Sequence, residues 1–341
     1  MKKITNIVIC LLAIAGMTSC NHKPLWYGND LFAYLDVVFD WTKATGNPQP
    51  SSVDLYLFPK DGGQHQYDQK PMEGGTIRAP YGSYRAFAFN NDSGSILISE
   101  TDSINTFQIY TRSENILAPM GMNTKADLRA KGTESQRVVL APDYLWVGWK
   151  QDFDVEFSDE KITHIIYMED RWQEIFVEIQ GVKNFRYLAS VSGALSGLAG
   201  GYMPGIDKNT SEQVIIPFEG LKLDAEAAAQ YHNAMQSKIK MTSVLTKDDA
   251  SDSIFGQLVC FGHCPDVPNK HILTIYAVLS NGEKYMYSFD VTDQYHSQWD
   301  NKQVYLIIDE LPLPVPINNG EGGMSLSMDT WYNEDISINI K

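Results

Sequence analysis

The chain has 341 residues, with 42 acidic and 27 basic side chains and a formal net charge of −15 at pH 7. A chain of this length is expected to form about two domains, each able to bury a core without disulfide bonds. An acidic surface repels phosphate backbones and anionic headgroups. The charge therefore argues against nucleic-acid binding and against attachment to a membrane through a basic patch.

Residues 1–19 have the composition of a secretory signal peptide. Lys2 and Lys3 precede an apolar block, residues 7–15, that is too short to cross about 30 Å of hydrocarbon as a helix. A charged start, a short apolar block and small residues together indicate an exported protein rather than a membrane-spanning one.

The small residues lead directly into Cys20, as in a bacterial lipobox, where the cysteine is acylated and becomes the new N-terminus. Met17 departs from the pattern, because such boxes usually carry leucine at this place. We predict a lipidated spacer at 20–30, held to the membrane by acyl chains. An ordinary secretory signal with an incidental cysteine is the alternative.

The first half of the chain carries a strand pattern. From Leu31 to Phe39 apolar residues alternate with polar ones, which is typical of a strand with one buried face. Similar short segments follow, separated by turn clusters such as Pro59–Gly63, at intervals of about 8–12 residues. This pattern predicts an antiparallel β-sandwich. The polar stretch 113–137 interrupts it, which places the first domain at 31–140.

The second half repeats this style and predicts a second antiparallel sandwich at 141–317. Asn281-Gly282 is the strongest hairpin signal, because both residues suit a type I′ turn. Asp224–Lys240 is rich in alanine and other helix formers, with Asp224 as a candidate N-cap. An inserted loop is the alternative for that segment.

The C-terminal tail, residues 318–341, follows a proline segment and begins with a hinge at Asn318–Gly323. Ile336, Ile338 and Ile340 alternate with polar residues, as in a strand. The tail is expected either to fold back as the last strand of the second domain or to reach a partner.

Cys260 and Cys264 are the two cysteines that follow Cys20. An oxidising compartment favours a local disulfide between them. Two free thiols are an alternative of equal weight. A metal site with His263 is a weaker alternative, because structural zinc needs four ligands and no second cluster is visible.

No pattern typical of catalysis is present: the chain lacks H-E-x-x-H, G-x-S-x-G and S-x-x-K. The histidines carry no ligand spacing, so neither an enzyme, a cofactor nor a metal site is predicted. Tryptophans could form a sugar-stacking face, although packing inside sandwiches is the commoner use of such residues. They are Trp41, Trp146, Trp149, Trp172, Trp299 and Trp331.

Several motifs give the chain a specific resemblance. They are Val38–Trp41, Leu55–Pro59, Asp61–Gly63, Gly75–Arg78, Gly82–Ala86, Thr106–Arg112, Phe261–Pro265, Phe289–Gln294, Leu311–Pro314 and Gly322–Ile340. Together they resemble a Bacteroidetes lipoprotein family of unknown function that is similar to the fimbrillin superfamily of type V pili. The resemblance covers nearly the whole chain after Cys20.

The resemblance implies an all-β protein with two transthyretin-like antiparallel β-sandwich domains in tandem. It also implies a lipoprotein displayed on the outer membrane, with other pilus subunits as partners. In such pili a protease cleaves after an arginine and releases the first strand of a subunit, and a strand from a neighbour replaces it by β-strand addition.

This chain departs from that scheme, because no arginine lies between Cys20 and Ile77 and the first is Arg78. We therefore expect it to keep its first strand and its lipid, as an anchor or accessory subunit in adhesion. A surface lipoprotein that binds glycan or host ligands is the alternative function.

Two short segments resemble the O-glycosylation signal of these bacteria. They are Asp102-Ser103-Ile104 and Asp252-Ser253-Ile254. Ser103 and Ser253 are therefore candidate modification sites.

Overall fold

The computed structural model describes residues 32–156, 158, 161–239, 251–265, 269–316 and 330–336. Within these residues the regular structure is mainly β-strand. The predicted all-β class is confirmed.

The strands of the described residues are β1 (Phe32–Asp40), β2 (Val53–Pro59), β3 (Gln66–Lys70), β4 (Gly74–Pro80), β5 (Gly82–Asn90), β6 (Ile96–Ser99), β7 (Gln108–Thr111), β8 (Arg137–Val138), β9 (Trp146–Val155), β10 (Thr163–Asp170), β11 (Gln173–Ile179), β12 (Leu188–Ala199), β13 (Gly201–Met203), β14 (Lys208–Asn209), β15 (Gln213–Leu223), β16 (Ser253–Cys260), β17 (Ile272–Leu279), β18 (Lys284–Asp290), β19 (Gln303–Ile308) and β20 (Tyr332–Ile336). The α-helices are α1 (Ala225–Ile239) and α2 (Thr292–His296), and short 3-10 helices span Ala118–Met120, Phe185–Tyr187 and Pro204–Ile206.

Seven strands form the first sheet, in the order β3-β2-β5-β9-β10-β1-β4. Leu35, Val37 and Phe39, on alternate positions of β1, are buried. They pack in one core with residues of β2, β5 and β9 from the facing part of the same sheet. The sheet therefore folds over itself into a sandwich, with the period-two face turned inward.

This sheet extends past the predicted domain boundary at residue 140. β9 pairs with β5, and β10 runs parallel to β1, so both strands belong to the first sheet. Apart from the short strands β6, β7, β8, β13 and β14, the strands up to Asp170 lie in the first sheet and those from Gln173 lie in the second. The polar stretch 113–137, which was expected to separate the domains, instead contributes Ile116, Leu117 and Leu128 to a core on the second sheet.

The second sheet has the order β19-β11-β16-β15-β12-β17-β18-β20, and β8 lies beside β15. This sheet also has two layers, which β15 connects: residues 213–219 pair with β12 in one layer, and residues 220–223 pair with β16 in the other. Phe218 packs at the corner where β15 passes from one layer to the other. A Cβ built on Gly193 or Gly256 would lie 2.3 Å or 2.1 Å from its ring. Both positions therefore require glycine.

Both sheets are mixed rather than purely antiparallel. Among the described strands, the pairs β1–β10, β8–β15, β11–β19 and β18–β20 are parallel. Parallel neighbours need long crossover connections, so these pairs join segments that are distant in the chain.

The two halves share a buried interface. A small third sheet, β14-β13-β7-β6, combines strands from both. An apolar cluster unites Phe87 and Phe107 of the first half with Tyr202 and Phe261 of the second. Burial of this cluster is expected to hold the halves together.

The predicted helix is confirmed as α1. The backbone N–H of Ala227 donates to Asp224 Oδ1 at 2.9 Å, as expected for an N-cap. Met235 of α1 packs against Phe176 and Tyr305 of the second sheet. Among the described residues, no helix combines the length and apolar character that a membrane span requires.

The predicted hairpin joins β17 to β18, but its turn differs from the expected type I′. Only Gly282, with φ of 86°, is left-handed, whereas Asn281 keeps a negative φ. The loop 280–283 is longer than two residues. A loop of four residues is usually built around a type I turn, which explains the difference.

Candidate functional site

A groove of about 320 Å³ lies between β3 and β4, the strands at the two ends of the first sheet. Its apolar part is formed by Leu55, Leu57 and Ile77, which are also anchored in the sandwich core. Its polar part is formed by Gln66, Tyr67, Asp68 and Arg78. Within the described residues, β3 and β4 each bond to a single neighbouring strand, so each presents a row of backbone groups to a further strand.

The side chains of the groove are held in place. Tyr67, 52% exposed, donates its hydroxyl to Asp54 Oδ1 at 3.0 Å, and Asn91 Nδ2 donates to Asp54 Oδ2 at 2.6 Å. Burial raises the pKa of Asp54, although these two hydrogen bonds oppose the shift. The guanidinium of Arg78 lies 4.1 Å from the ring centre of Phe32. The groove is thus a preformed feature of the sheet edges.

The edge of the second sheet at β19 is closed by side chains of α2 and the residues after it. Gln294 Nε2 donates to the Ile307 carbonyl at 2.8 Å, and Gln294 Oε1 accepts from the Ile307 N–H at 2.9 Å. Gln298 makes the same pair of bonds with Tyr305, at 3.0 and 3.1 Å. Each amide side chain therefore takes the place of a residue in a neighbouring strand.

The opposite edge of the second sheet carries the described part of the tail. β20 runs parallel to β18. Trp331 meets the ring of Tyr276 edge-on at 5.8 Å, and Tyr332 stacks on Tyr285 at 5.1 Å. This part of the tail folds back as the last strand, and the rest of 318–341 lies outside the described residues.

A cleft of about 430 Å³ lies in the second half, beside the point where the chain leaves β10, and Tyr202, Asp207 and Trp299 line it. The guanidinium of Arg171 donates to both carboxylate oxygens of Asp207, at 2.9 and 3.1 Å. Trp299, 48% exposed, supplies an open apolar surface in the cleft, and its ring also packs on His263 with ring centres 5.0 Å apart.

Lys302 adds a titratable charge to this cleft. Its ammonium lies 3.5 Å from the ring centre of Trp172 and 3.2 Å from Asp170. Burial lowers the pKa of Lys302 to about 8, although Asp170 opposes the shift. The charge of the cleft therefore changes at mildly alkaline pH.

The other tryptophans do not form a common stacking face. Trp41 packs edge-on against Trp146, Trp172 packs against Tyr144, and Trp149 packs against Phe87. Of the tryptophans in the described residues, Trp299 alone is largely exposed.

The structure describes only some of the site residues predicted from the sequence. Cys20, the signal peptide and the spacer lie outside the described residues. Cys260 and Cys264 are buried free thiols instead of a disulfide. Cys260 packs in the second core and Cys264 in the shared interface, where it donates to the Glu212 carbonyl. Burial raises the pKa of Cys260 to about 12 and that of Cys264 to about 11. Both thiols are therefore protonated at neutral pH.

The candidate glycosylation sites also differ from each other. Ser253 is 2% exposed and its hydroxyl donates to the Ser251 carbonyl at 2.8 Å. A buried, hydrogen-bonded hydroxyl in β16 is not available to a glycosyltransferase, so modification of the folded chain at Ser253 is not expected. Ser103 is half-buried in a turn and stays a prediction.

Sequence reasoning missed the groove and the two glutamines. The signal for the glutamines was their spacing of four, which places Gln294 and Gln298 on one side of a helical segment. The groove carries no local signal, because it forms only when β3 and β4, three residues apart in the chain, pair with different strands at the two ends of the sheet.

The profile of a family described as "Domain of unknown function (DUF5119)" matches residues 19–219. The chain belongs to this family. A Bacteroides ovatus protein with the provisional name fimbrium anchoring subunit Fim4B is 24% identical over 234 residues. The match covers 68% of this chain and 66% of that protein, slightly less than two thirds of its length. The resemblance drawn from the sequence motifs is confirmed.

Solved structures agree on the fold. A Bacteroides ovatus protein described provisionally as an adhesin aligns with a TM-score of 0.57 and 19% identity, over 84% of this chain and 96% of that one. The fimbrial anchor protein Mfa2 from Porphyromonas gingivalis aligns with a TM-score of 0.43 and 11% identity, over 81% and 91% of the two chains. The first match shows a shared fold, and the second is too distant to carry an argument.

Proposed function

We propose that this chain is a fimbrillin-like anchor or accessory subunit that connects a pilus to the cell surface in adhesion. Its relationship to a protein named as a fimbrium anchoring subunit carries the proposal. Acyl chains on Cys20 would supply attachment to the outer membrane. Other pilus subunits are then its partners.

The position of β1 supports the anchor role. β1 lies between β10 and β4, and its inward residues are buried in the first core. Arg78, the first arginine after Cys20, lies within β4, opposite Tyr34 of β1. Cleavage after Arg78 would have to break a paired strand, so β1 and the lipid stay with the subunit.

Mass spectrometry of the surface protein tests this retention. We expect a mature N-terminus at an acylated Cys20. An N-terminus downstream of Phe39 would contradict the anchor role, because the first strand and the lipid would both be lost.

The groove between β3 and β4 is the proposed acceptor for a strand of a pilus subunit. An incoming strand could form backbone hydrogen bonds with either edge and place alternate apolar side chains on Leu55, Leu57 and Ile77. Backbone hydrogen bonds would supply the affinity, and the fit of alternate side chains in the groove would supply the specificity.

Site-specific photo-crosslinking tests the acceptor. A photoreactive residue at Tyr67 is expected to crosslink to a pilus subunit in intact cells. The same residue at Leu221, which is 48% exposed on the second sheet, is the matched control. Equal crosslinking from both positions, or none from Tyr67 in piliated cells, would exclude the groove.

Glycan binding in the cleft lined by Trp299 is a second candidate function. The exposed ring of Trp299 beside Asp207 and Asn209 supports it, because sugars stack on aromatic rings and bond to such polar groups. On a glycan array, Trp299→Ala should abolish any signal seen for the unaltered chain. A signal that survives this substitution would place glycan binding elsewhere.

A further inference from the structure

Three histidines from separate segments meet beside the cleft. His263 follows β16, His271 precedes β17, and His296 is the last residue of α2. One ring nitrogen of each lies within 4.8 Å of the others. Their ring centres are 5.2 to 5.9 Å apart. The spacing of the three residues in the sequence does not indicate this proximity, because the second sheet brings their segments together.

His271 has a buried ring nitrogen without a hydrogen-bond partner. The residue is fully buried, and its Nδ1 lies 3.1 Å from the Ser196 carbonyl oxygen. A carbonyl only accepts, so Nδ1 carries the proton and Nε2 holds a lone pair. Nε2 is buried without a hydrogen-bond partner. An orphaned acceptor is unfavourable, and a bound cation would satisfy it.

His296 repeats this feature, since its Nε2 is also buried without a partner. The backbones that carry the cluster are held in place. The His263 carbonyl accepts from Asn209 Nδ2 at 3.0 Å, and the His271 N–H donates to Thr292 Oγ1 at 3.0 Å. The bond from His271 Nδ1 to a carbonyl is also the arrangement that orients metal-ligating histidines in general.

We propose that His263, His271 and His296 bind a divalent transition-metal ion, with Zn²⁺ as the best match. Tetrahedral Zn²⁺ with bonds of about 2.0–2.1 Å places its ligand nitrogens about 3.3 Å apart. Small ring rotations can reach this distance from separations below 4.8 Å. Three protein ligands leave the fourth position for water or for a ligand, and His263 lines the cleft from which one would arrive.

The protonation of the cluster suits metal binding. Burial lowers the pKa of His271 to about 3 and also lowers the pKa of His263. The lowered pKa values favour the neutral form of these two imidazoles, which is the form that binds metal.

Zinc titration of the purified full chain tests the site. After treatment with EDTA and its removal, calorimetry with ZnCl₂ should show one ion bound per chain. The variants His263→Gln and His296→Gln, both at partly exposed positions, should each weaken binding at least about tenfold. His65→Gln is the control, because His65 packs on Tyr56 away from the cluster.

Cobalt provides an independent readout. Co²⁺ added to the metal-free chain should give the intense visible absorption of a four-coordinate ion, and Zn²⁺ should displace it. Circular dichroism of each variant checks that the fold is retained. A lack of saturable zinc binding, an equal loss in His65→Gln, or a cobalt spectrum like that of the aqueous ion would overturn the proposal.

Discussion

The two large sheets differ in whether their edge strands are covered. In the second, Gln294 and Gln298 bond to the free edge of β19, and β20 covers β18. In the first, β3 and β4 end the sheet and leave a groove with apolar and polar walls between them. Exposed edges invite pairing with other chains, so proteins usually block them. The contrast supports the proposal that the first sheet accepts a strand of a partner subunit.

The largest effect is expected at the corner that closes the second sheet. Gly256→Leu would force a side chain into the ring of Phe218 and should lower the free energy of unfolding by about 3 kcal/mol. Urea denaturation measures the loss. Gly94→Ala, at a position with open space around its Cβ, should change it by less than about 0.5 kcal/mol. Similar values for both would show that the corner is not tightly packed.

Removal of the tail strand should have the next largest effect. Deletion of residues 330–341 exposes β18 and removes Trp331 from the ring of Tyr276. We expect the free energy of unfolding to fall by about 2 kcal/mol with the fold retained, because β20 lies at the edge and Tyr332 is 43% exposed. Thermal denaturation and circular dichroism check both points. A chain that no longer folds would show that the tail is an essential part of the core.

Opening the closed edge should have a smaller effect on stability but a clear effect on association. The double variant Gln294→Ala, Gln298→Ala removes four bonds to β19. Water can replace these hydrogen bonds, so we expect the free energy of unfolding to fall by only about 1 kcal/mol. Light scattering should show self-association through the freed edge. The control is Gln151→Ala, at an exposed position of β9. A double variant that stays monomeric would mean that β19 is protected in another way.

Blocking the open edge should have the smallest effect on stability. Gln66→Lys places a charge on the wall of the groove and should change the free energy of unfolding by less than about 0.5 kcal/mol. Capture of a pilus subunit in a pull-down should nevertheless fall at least about tenfold, since 1.4 kcal/mol of lost binding is a factor of ten. Gln151→Lys serves as the matched control. Unchanged capture by the groove variant would move the acceptor to another edge.

Features that depend on neighbouring residues could be predicted from the sequence. The alternation of Leu35, Val37 and Phe39 predicted the buried face of β1, and Asp224 predicted the start of α1. Asn281-Gly282 predicted a hairpin at the correct place, although the loop length changed its turn type. Side-chain periodicity, capping and turn formation involve residues a few positions apart, so the chain itself carries this information.

The tertiary structure alone decided which segments meet. It placed β9 and β10 in the first sheet, and it directed Cys260 and Cys264 into different cores as free thiols. It also placed β3 and β4, which are neighbours in the chain, at the two ends of the first sheet with a groove between them, and it joined the three histidines into a cluster. Contacts between residues far apart in the chain depend on the order and direction of the strands. Local patterns do not specify that order, because every strand with one apolar face fits several neighbours equally well.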